Sequence, residues 1–312
     1  MKKSEIKEKI VIILGPTASG KTDLALKLAQ KYNGEIINAD SMQVYRHLNI
    51  GTAKPSEEEL QAIKHHLINI LNPDEVFTAQ NFADYADKAI TEIISKGKRP
   101  FIVGGTAFYI KALLFGLCKI DFDEDKLKPF RQKLNKMRVR FPNSFFKKWA
   151  KRIDNKLASK IEENDFYRLS RIIEIFYLTK KPLSYFHEDH KFAEARYNFL
   201  KIGLCLPRNL LYRRINQRVS QMIEDGMVEE VSSTLELGYS GKIRSLNTLG
   251  YKWIMKYLED ELSLEKAIEL TRRDTRHFAK RQMTWFKKEK DIIWFDPYDE
   301  QELLEEKINL FL

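Results

Sequence analysis

Ile10-Val11-Ile12-Ile13-Leu14 runs directly into Gly15-Pro16-Thr17-Ala18-Ser19-Gly20-Lys21-Thr22, and a helical pattern opens at Asp23. An unbroken apolar run reads as a strand buried on both faces, the kind found in parallel sheets. The segment after it has the spacing Gly-x4-Gly-Lys-Thr, a phosphate-binding loop in its required setting between strand and helix. Its glycines let backbone N–H groups turn inward on an oligophosphate, and the helix N-terminus adds partial positive charge. In such a loop Lys21 contacts the terminal phosphate oxygens and the Thr22 hydroxyl sits on Mg2+. Gly15 to Thr22 is therefore expected to bind a di- or triphosphate.

Working outward, Lys21–Lys31 reads as a helix with an apolar stripe at Leu24 and Leu28. Glu35–Ala39 is a second strand ending at Asp40. Gly51-Thr52-Ala53-Lys54-Pro55 is a turn, with Ser56 capping the next helix. Thr78 opens a helix to about Ser95, closed by Gly97. Pro100 precedes a third strand, Phe101–Val103, which runs into Gly104-Gly105-Thr106 and another helix. Strands alternating with helices predict an α/β fold with a parallel sheet, whose ligand site lies at the carboxyl ends of the strands. The phosphate loop, Asp40 and Gly104–Thr106 each follow a strand, so all three should meet in one crevice.

From Asp121 to about Arg196 no strand pattern appears, and lysine-rich helical stripes carry interspersed aromatics. Phe199–Leu206 reads as a returning strand closed by Pro207. Helices follow to about Lys290, punctuated by Gly226, Gly238 and Gly241, before a last strand at Ile292–Phe295 and a C-terminal helix. The expected organisation is a phosphate-loop core over 1–118 and 197–312, with a helical insertion over 119–196.

Composition narrows the function. At 312 residues, 43% hydrophobic and 31% charged, the chain can bury a large core. No window approaches the ~18 apolar residues of a membrane span. Met1 to Lys9 is charged and lacks the apolar centre of a signal peptide, so a cytoplasmic protein is expected. Cys118 and Cys205 stand far apart and the His residues show no ligand spacing, which argues against a disulfide framework or a Cys- or His-based metal site. Net charge is +10, with lysine and arginine concentrated after about Lys119, an asymmetry suited to a large anion such as RNA.

Several residues are candidates for chemistry. Asp40 has two open readings, a carboxylate that holds Mg2+ indirectly or a base aimed at a nucleophile. Ser41, Gln43 and Tyr45 follow it with polar tips. Gly104-Gly105-Thr106 offers N–H groups and a hydroxyl that could stabilise a leaving oxygen. Arg168 and Arg171 share one helical face, as do Arg214 and Arg218 after Pro207. Between Arg272 and Lys290, basic residues interleave with His277, Phe278, Trp285 and Phe286, a pattern suited to phosphates and unstacked bases, although some of those rings are expected in the core.

Together these motifs resemble the tRNA dimethylallyltransferase (tRNA isopentenyltransferase) family. The likeness rests on Gly15–Thr22, Asp40-Ser41-Met42-Gln43-Val44-Tyr45, Gly51–Pro55, Gly104-Gly105-Thr106, Arg168–Arg171, Gly250-Tyr251-Lys252 and Ala279-Lys280-Arg281-Gln282-x-Thr284-Trp285, in family order over nearly the whole chain. The resemblance implies transfer of a dimethylallyl group from dimethylallyl diphosphate to the N6 amine of the adenosine 3′ of the tRNA anticodon. It implies that Lys21 and Arg218 bind the diphosphate with Mg2+ beside Thr22. Asp40 would deprotonate the amine and Thr106 would touch the bridging oxygen or the target nucleotide. Contacts to tRNA would come from Asp40, Ser41, Met42, Gln43 and Thr106, from Tyr167, Arg168, Leu169, Ser170 and Arg171, and from Asn247, Gly250, Tyr251, Lys252, Lys280, Arg281, Gln282, Thr284 and Trp285. A further contact in the insertion falls on Lys128, with Arg131 nearby. The expected enzyme is a monomer with no membrane partner.

Three other readings use the same loop. A small-molecule kinase would employ Arg168 and Arg171 as lid arginines, but the basic helical half exceeds what a lid needs. An RNA-binding NTPase is also compatible, though no Asn-Lys-x-Asp guanine motif occurs. Prenyl transfer to free adenine nucleotides is disfavoured by the long basic C-terminal helices.

Overall fold

The computed structural model describes residues 7–118, 120, 124–190, 192, 194–297 and 300–312. The insertion start expected at 119, Asp121 at the head of the strand-free stretch and most of the charged Met1–Lys9 segment lie outside the described residues. Six strands are present among those described: β1 (Lys9–Leu14), β2 (Gly34–Asn38), β3 (His65–His66), β4 (Arg99–Gly104), β5 (Asn198–Leu204) and β6 (Ile292–Phe295). They form one parallel sheet in the order β3-β2-β4-β1-β5-β6. Helices α1 (Lys21–Lys31), α2 (Glu57–Ala62), α3 (Ala79–Ser95) and α4 (Ala107–Phe115) alternate with the first four strands.

The apolar strands explain this arrangement. Ile10 to Leu14, Ile36, Ile37 and Phe101 to Val103 are buried, as a sheet covered on both faces requires. Val11, Ile13, Ile36, Phe101 and Ile202 pack with Ala25, Leu28 and Ala29 of α1 and with Leu304 and Ile308 of the last helix. In register, Leu14 stands opposite both Gly104 and Gly203, and Asn38 opposite Val103. The chain therefore leaves β1, β2 and β4 at the same sheet edge. β1 has β4 on one side and β5 on the other, so the phosphate loop follows the strand where the winding changes direction.

Helix starts follow the expected chemistry. Ser56 and Thr78 each form a capping box, with Glu59 and Asn81 respectively. Strand boundaries differ from expectation by one or two residues at both ends of β2, β4 and β5. β2 stops at Asn38, β5 stops at Leu204, and β4 begins at Arg99, so Pro100 lies within the strand opposite Glu35. Unforeseen was β3, whose two residues give no periodic signal. It is held by the buried Glu35 carboxylate, which accepts from His66 Nε2 at 2.7 Å and Lys98 Nζ at 2.9 Å.

The chain divides into two compact units, 7–114 with 195–312, and 115–194. The second contains α5 (Glu124–Arg140), α6 (Asn143–Ile153), α7 (Asn155–Ala158), α8 (Phe166–Thr179) and α9 (Leu183–His190), packed around Leu134, Phe146, Phe166, Leu169 and Ile172. Buried Asp154 ties it together, accepting from Leu157 N–H at 3.1 Å and Ser184 N–H at 2.7 Å. The first unit is completed by α10 (Arg208–Glu224), α11 (Met227–Glu236), α12 (Tyr251–Leu258), α13 (Leu264–Phe286) and α14 (Gln301–Phe311). Among the described residues no helix is long and apolar enough to cross a membrane.

Candidate active site

The loop after β1 owes its shape to two glycines. Gly15 has φ +156°, and a Cβ there would lie 2.8 Å from the Leu204 carbonyl oxygen. Gly20 has φ +90° and starts α1 without any side-chain cap, which leaves the first-turn N–H groups for an anion. The Ser19 hydroxyl is fully buried with no hydrogen-bond partner among the described residues. Lys21 Nζ folds over the loop and donates to the Pro16 carbonyl at 2.6 Å.

Cations converge on this loop from α10. Arg214, Gln217 and Arg218 line a cavity of about 220 Å³ together with Ala18 to Asp23. Burial, then the neighbouring Arg218, lower Lys21 to about pH 7, while Asp40 pulls the other way. Burial likewise lowers Arg218, opposed by Asp40 and Asp23. Two desolvated cations side by side, an uncapped helix start and an orphan hydroxyl together form a site built for a phosphorylated ligand. No group of three or more His, Cys, Asp or Glu suited to a metal occurs among the described residues. Thr22 and Asp23 in the cavity nevertheless suit Mg2+, which takes few protein ligands and completes its shell from phosphates and water.

The other two loops meet this one. Thr106 N–H donates to the Ala39 carbonyl at 3.2 Å, and Ser41 N–H donates to the Thr106 hydroxyl at 3.1 Å. A Cβ at Gly104 would stand 2.2 Å from the Ala39 oxygen, so only glycine allows this approach. Asp40 Oδ1 accepts from Met42 N–H at 2.8 Å. Asp40, Ser41 and Thr17 open onto a second cavity of about 400 Å³, and Arg218 lines both cavities. Its wall is apolar along Ile215, Val219, Met222, Met227 and Phe278, with Asn247, Thr248, Lys252 and Arg281 supplying polar groups.

Sequence reasoning missed the support of that wall. Glu230 of α11 accepts from the backbone N–H groups of Asn49, Ile50 and Gly51 at 2.6, 2.7 and 3.1 Å and from the Tyr251 hydroxyl at 2.7 Å. Burial and Glu230 together push the Tyr251 phenol well up. Gln43 Nε2 stakes the same turn from the other side, donating to the carbonyls of Thr52 and Ala53 at 3.1 and 2.9 Å. No local pattern marks Glu230, because its partners lie far away in sequence.

The expected RNA-facing residues separate into outward and inward groups. Asn247, Lys280, Arg281, Thr284 and Trp285 are exposed, and Trp285 meets Phe108 edge-on at 6.4 Å. Lys252 pairs with Asp274 at 2.8 Å. Burial opposes ionisation of Asp274, yet hydrogen bonds from Lys252, Arg273 and Trp253 bring it down to about 2. Gly250, with φ +72°, and Tyr251 are buried, and so is Gln282. In the second unit Lys128, Tyr167 and Arg168 are exposed. Arg131 is engaged by the buried Glu174 at 2.8 and 2.9 Å, with Arg171 at 3.3 Å from the same carboxylate. Leu169 has no exposed surface and Ser170 is buried, so apolar packing turns these two side chains away from any ligand of that face.

Fold and site thus define a phosphate-loop protein whose cradle opens on a cavity for an organic group beside a carboxylate. A family model described as IPP transferase matches residues 43–289. A tRNA dimethylallyltransferase of Acetivibrio thermocellus is 44% identical over 307 residues, 98% of this chain and 97% of that protein. One from Citrifermentans bemidjiense is 45% identical over 296 residues, 95% and 94% of the two chains. The full-length tRNA isopentenylpyrophosphate transferase of Bacillus halodurans has a similar structure, with TM-score 0.70, 39% identity and coverage of 97% and 95%. A eukaryotic dimethylallyltransferase caught acting on tRNA matches with TM-score 0.81 and 30% identity, over 96% of this chain and 78% of that one. The chain belongs to the IPP transferase family.

Proposed function

We propose that this enzyme transfers the dimethylallyl group of dimethylallyl diphosphate to the N6 amine of the adenosine 3′ of the anticodon in tRNA, releasing diphosphate. One observation carries the reading: Arg218 lines both the phosphate cradle and the half-apolar cavity onto which Asp40 opens. The apolar side of that cavity offers an allylic chain a seat shielded from water beside its diphosphate.

The chemistry follows from the residues. The adenine N6 lone pair is delocalised into the ring, so the amine becomes a nucleophile only as its proton is removed. Asp40 takes that proton as N6 bonds to C1 of the allylic group and the C1–O bond breaks, leaving its electron pair on diphosphate. Lys21, Arg218 and the loop amides neutralise the departing charge. Thr106, joined to the segment of Asp40 through Ser41, would touch the bridging oxygen or the nucleotide. Mg2+, held by the Thr22 hydroxyl, would add further charge neutralisation when bound. The apolar wall excludes water, which would otherwise capture the prenyl group. The target base must leave its stack, at a few kcal/mol. Lys252, Lys280 and Arg281 on the first unit, and Lys128 and Arg168 on the second, supply phosphate contacts that offset this. The enzyme is proposed to act as a monomer, in the cytoplasm with its tRNA.

The test is transfer of label from dimethylallyl diphosphate to unmodified tRNA, with AMP as control. Label should enter tRNA only, and Asp40→Ala should lose turnover while still binding tRNA. Label remaining on the donor under saturating tRNA, with ATP phosphorylating a nucleotide instead, would establish the kinase reading.

A further inference from the structure

We infer that Gln282 is a positioning residue that clamps the phosphate loop to the Gly104-Gly105-Thr106 turn, and so sets the distance between the departing diphosphate and the groups facing the acceptor; this rests on the reaction proposed above. Gln282 lies near the end of α13 and is 6% exposed. Its Oε1 accepts from Thr17 N–H at 2.9 Å, and its Nε2 donates to the Gly105 carbonyl at 3.0 Å. One planar amide thus joins the loops that follow β1 and β4. The second of these is already joined to the segment after β2 through Thr106 and Ser41. A continuous chain of contacts runs from Thr17 through Gln282, Gly105 and Thr106 to Ser41, next to Asp40.

The amide is specified by what it joins. One end must accept and the other must donate, which glutamine alone does at this length without charge. The space is filled by design of the turn as well, since a Cβ at Gly105 would lie 2.2 Å from Gln282 Nε2. Buried among backbone groups, Gln282 presents nothing to RNA. Its neighbours Lys280, Arg281 and Thr284 are exposed on the same helix. Whatever the exposed face of α13 binds therefore bears on the helix that holds both loops.

A misplacement of about 1 Å between reacting groups is worth roughly a hundredfold in rate. The clamp should therefore act on turnover rather than on either binding step. Gln282→Met keeps the length of the side chain and removes both hydrogen bonds, whereas Gln282→Glu keeps only the acceptor for Thr17. The experiment combines steady-state transfer with amide hydrogen exchange at Thr17, Ser41 and Thr106 of the full chain, with and without inorganic diphosphate. In Gln282→Met, kcat should fall about 10- to 100-fold while KM for donor and for tRNA stays within about threefold. Diphosphate should protect Ser41 and Thr106 in the unaltered chain and fail to do so in the variant. Gln282→Glu should retain protection at Thr17 alone. Unchanged kcat, or a rise confined to the tRNA KM, would overturn the inference, as would diphosphate protection of Ser41 and Thr106 surviving in Gln282→Met. A chain that transfers no prenyl group defeats the proposed function, yet the exchange measurements still decide the clamp. Should Gln282→Met not fold, Gly105→Ala presses on the same amide from the other side and carries the same expected outcomes.

Discussion

Lys21 is a desolvated cation set beside a second one, and replacing it with methionine should stabilise the free protein while abolishing its grip on diphosphate. An ordinary lysine titrates at 10.5 and Lys21 at about 7. That gap disfavours the charged form by roughly 4–5 kcal/mol, at about 1.4 kcal/mol per pH unit. Lys21 keeps part of its surface in solvent, so screening removes about half of this. Methionine also forfeits the bond to the Pro16 carbonyl, worth about 1 kcal/mol. A stabilisation of about 1 kcal/mol remains near neutral pH, or a rise in Tm of about 1–2 °C for a chain of 312 residues. Between pH 7 and 10.5 the unfolded chain holds a proton that the folded chain has released. The stability of the unaltered protein therefore climbs with pH across that window and is lowest beneath it. The advantage of Lys21→Met should thus be largest near pH 6 and vanish towards pH 9. Thermal unfolding at those two values, with and without inorganic diphosphate, measures both effects. A variant less stable than the parent at pH 6, or an advantage indifferent to pH, would refute the reasoning, and so would a Tm that diphosphate still raises.

Asp40→Asn keeps the oxygen that accepts from Met42 and removes the proposed base, so kcat should fall 10²- to 10⁴-fold with tRNA affinity intact, as single-turnover and filter-binding measurements would show. Glu230→Ala strips the acceptor from three backbone N–H groups and the Tyr251 hydroxyl; it should lower stability by about 2–3 kcal/mol in urea unfolding, with Glu230→Gln intermediate. Met222 lies on the cavity wall about 6 Å along α10 from Arg218, where the tail of the five-carbon chain would lie if that arginine holds its diphosphate as proposed. Met222→Ala should raise kcat/KM for geranyl diphosphate relative to dimethylallyl diphosphate at least tenfold; an unchanged ratio would place the prenyl group elsewhere.

The core of the fold was legible because its signals are local. An unbroken apolar run, a glycine loop with fixed spacing and capping residues at Ser56 and Thr78 each act within a few residues. Parallel pairing then brings Asp40 and Gly104–Thr106 to the phosphate loop, with Leu14 in line with Gly104 and Asn38 with Val103. β3 was illegible for the opposite reason: His65 and His66 have no apolar alternation, and the strand is held by its pairing with β2 and by Glu35 on that strand, which accepts from His66.

The site was legible in its residues and less so in their duties. A polar side chain in a motif reads equally as a ligand contact or as a prop for the loop beside it, since both need a donor or acceptor at one position. Gln43, Tyr251 and Gln282 all stand in segments expected to meet tRNA, and all three turn to backbone or to a carboxylate within the protein. What separates props from contacts is which loops come within hydrogen-bonding distance, a property of the folded sheet and of α11 and α13 lying over it. Arg218 and Lys21 escape the ambiguity because charge is expensive to bury without a purpose. Lys21 depressed to about pH 7 is a group whose balancing anion comes from outside the protein, which is the physical sense in which this cradle is made for a charge that arrives and leaves.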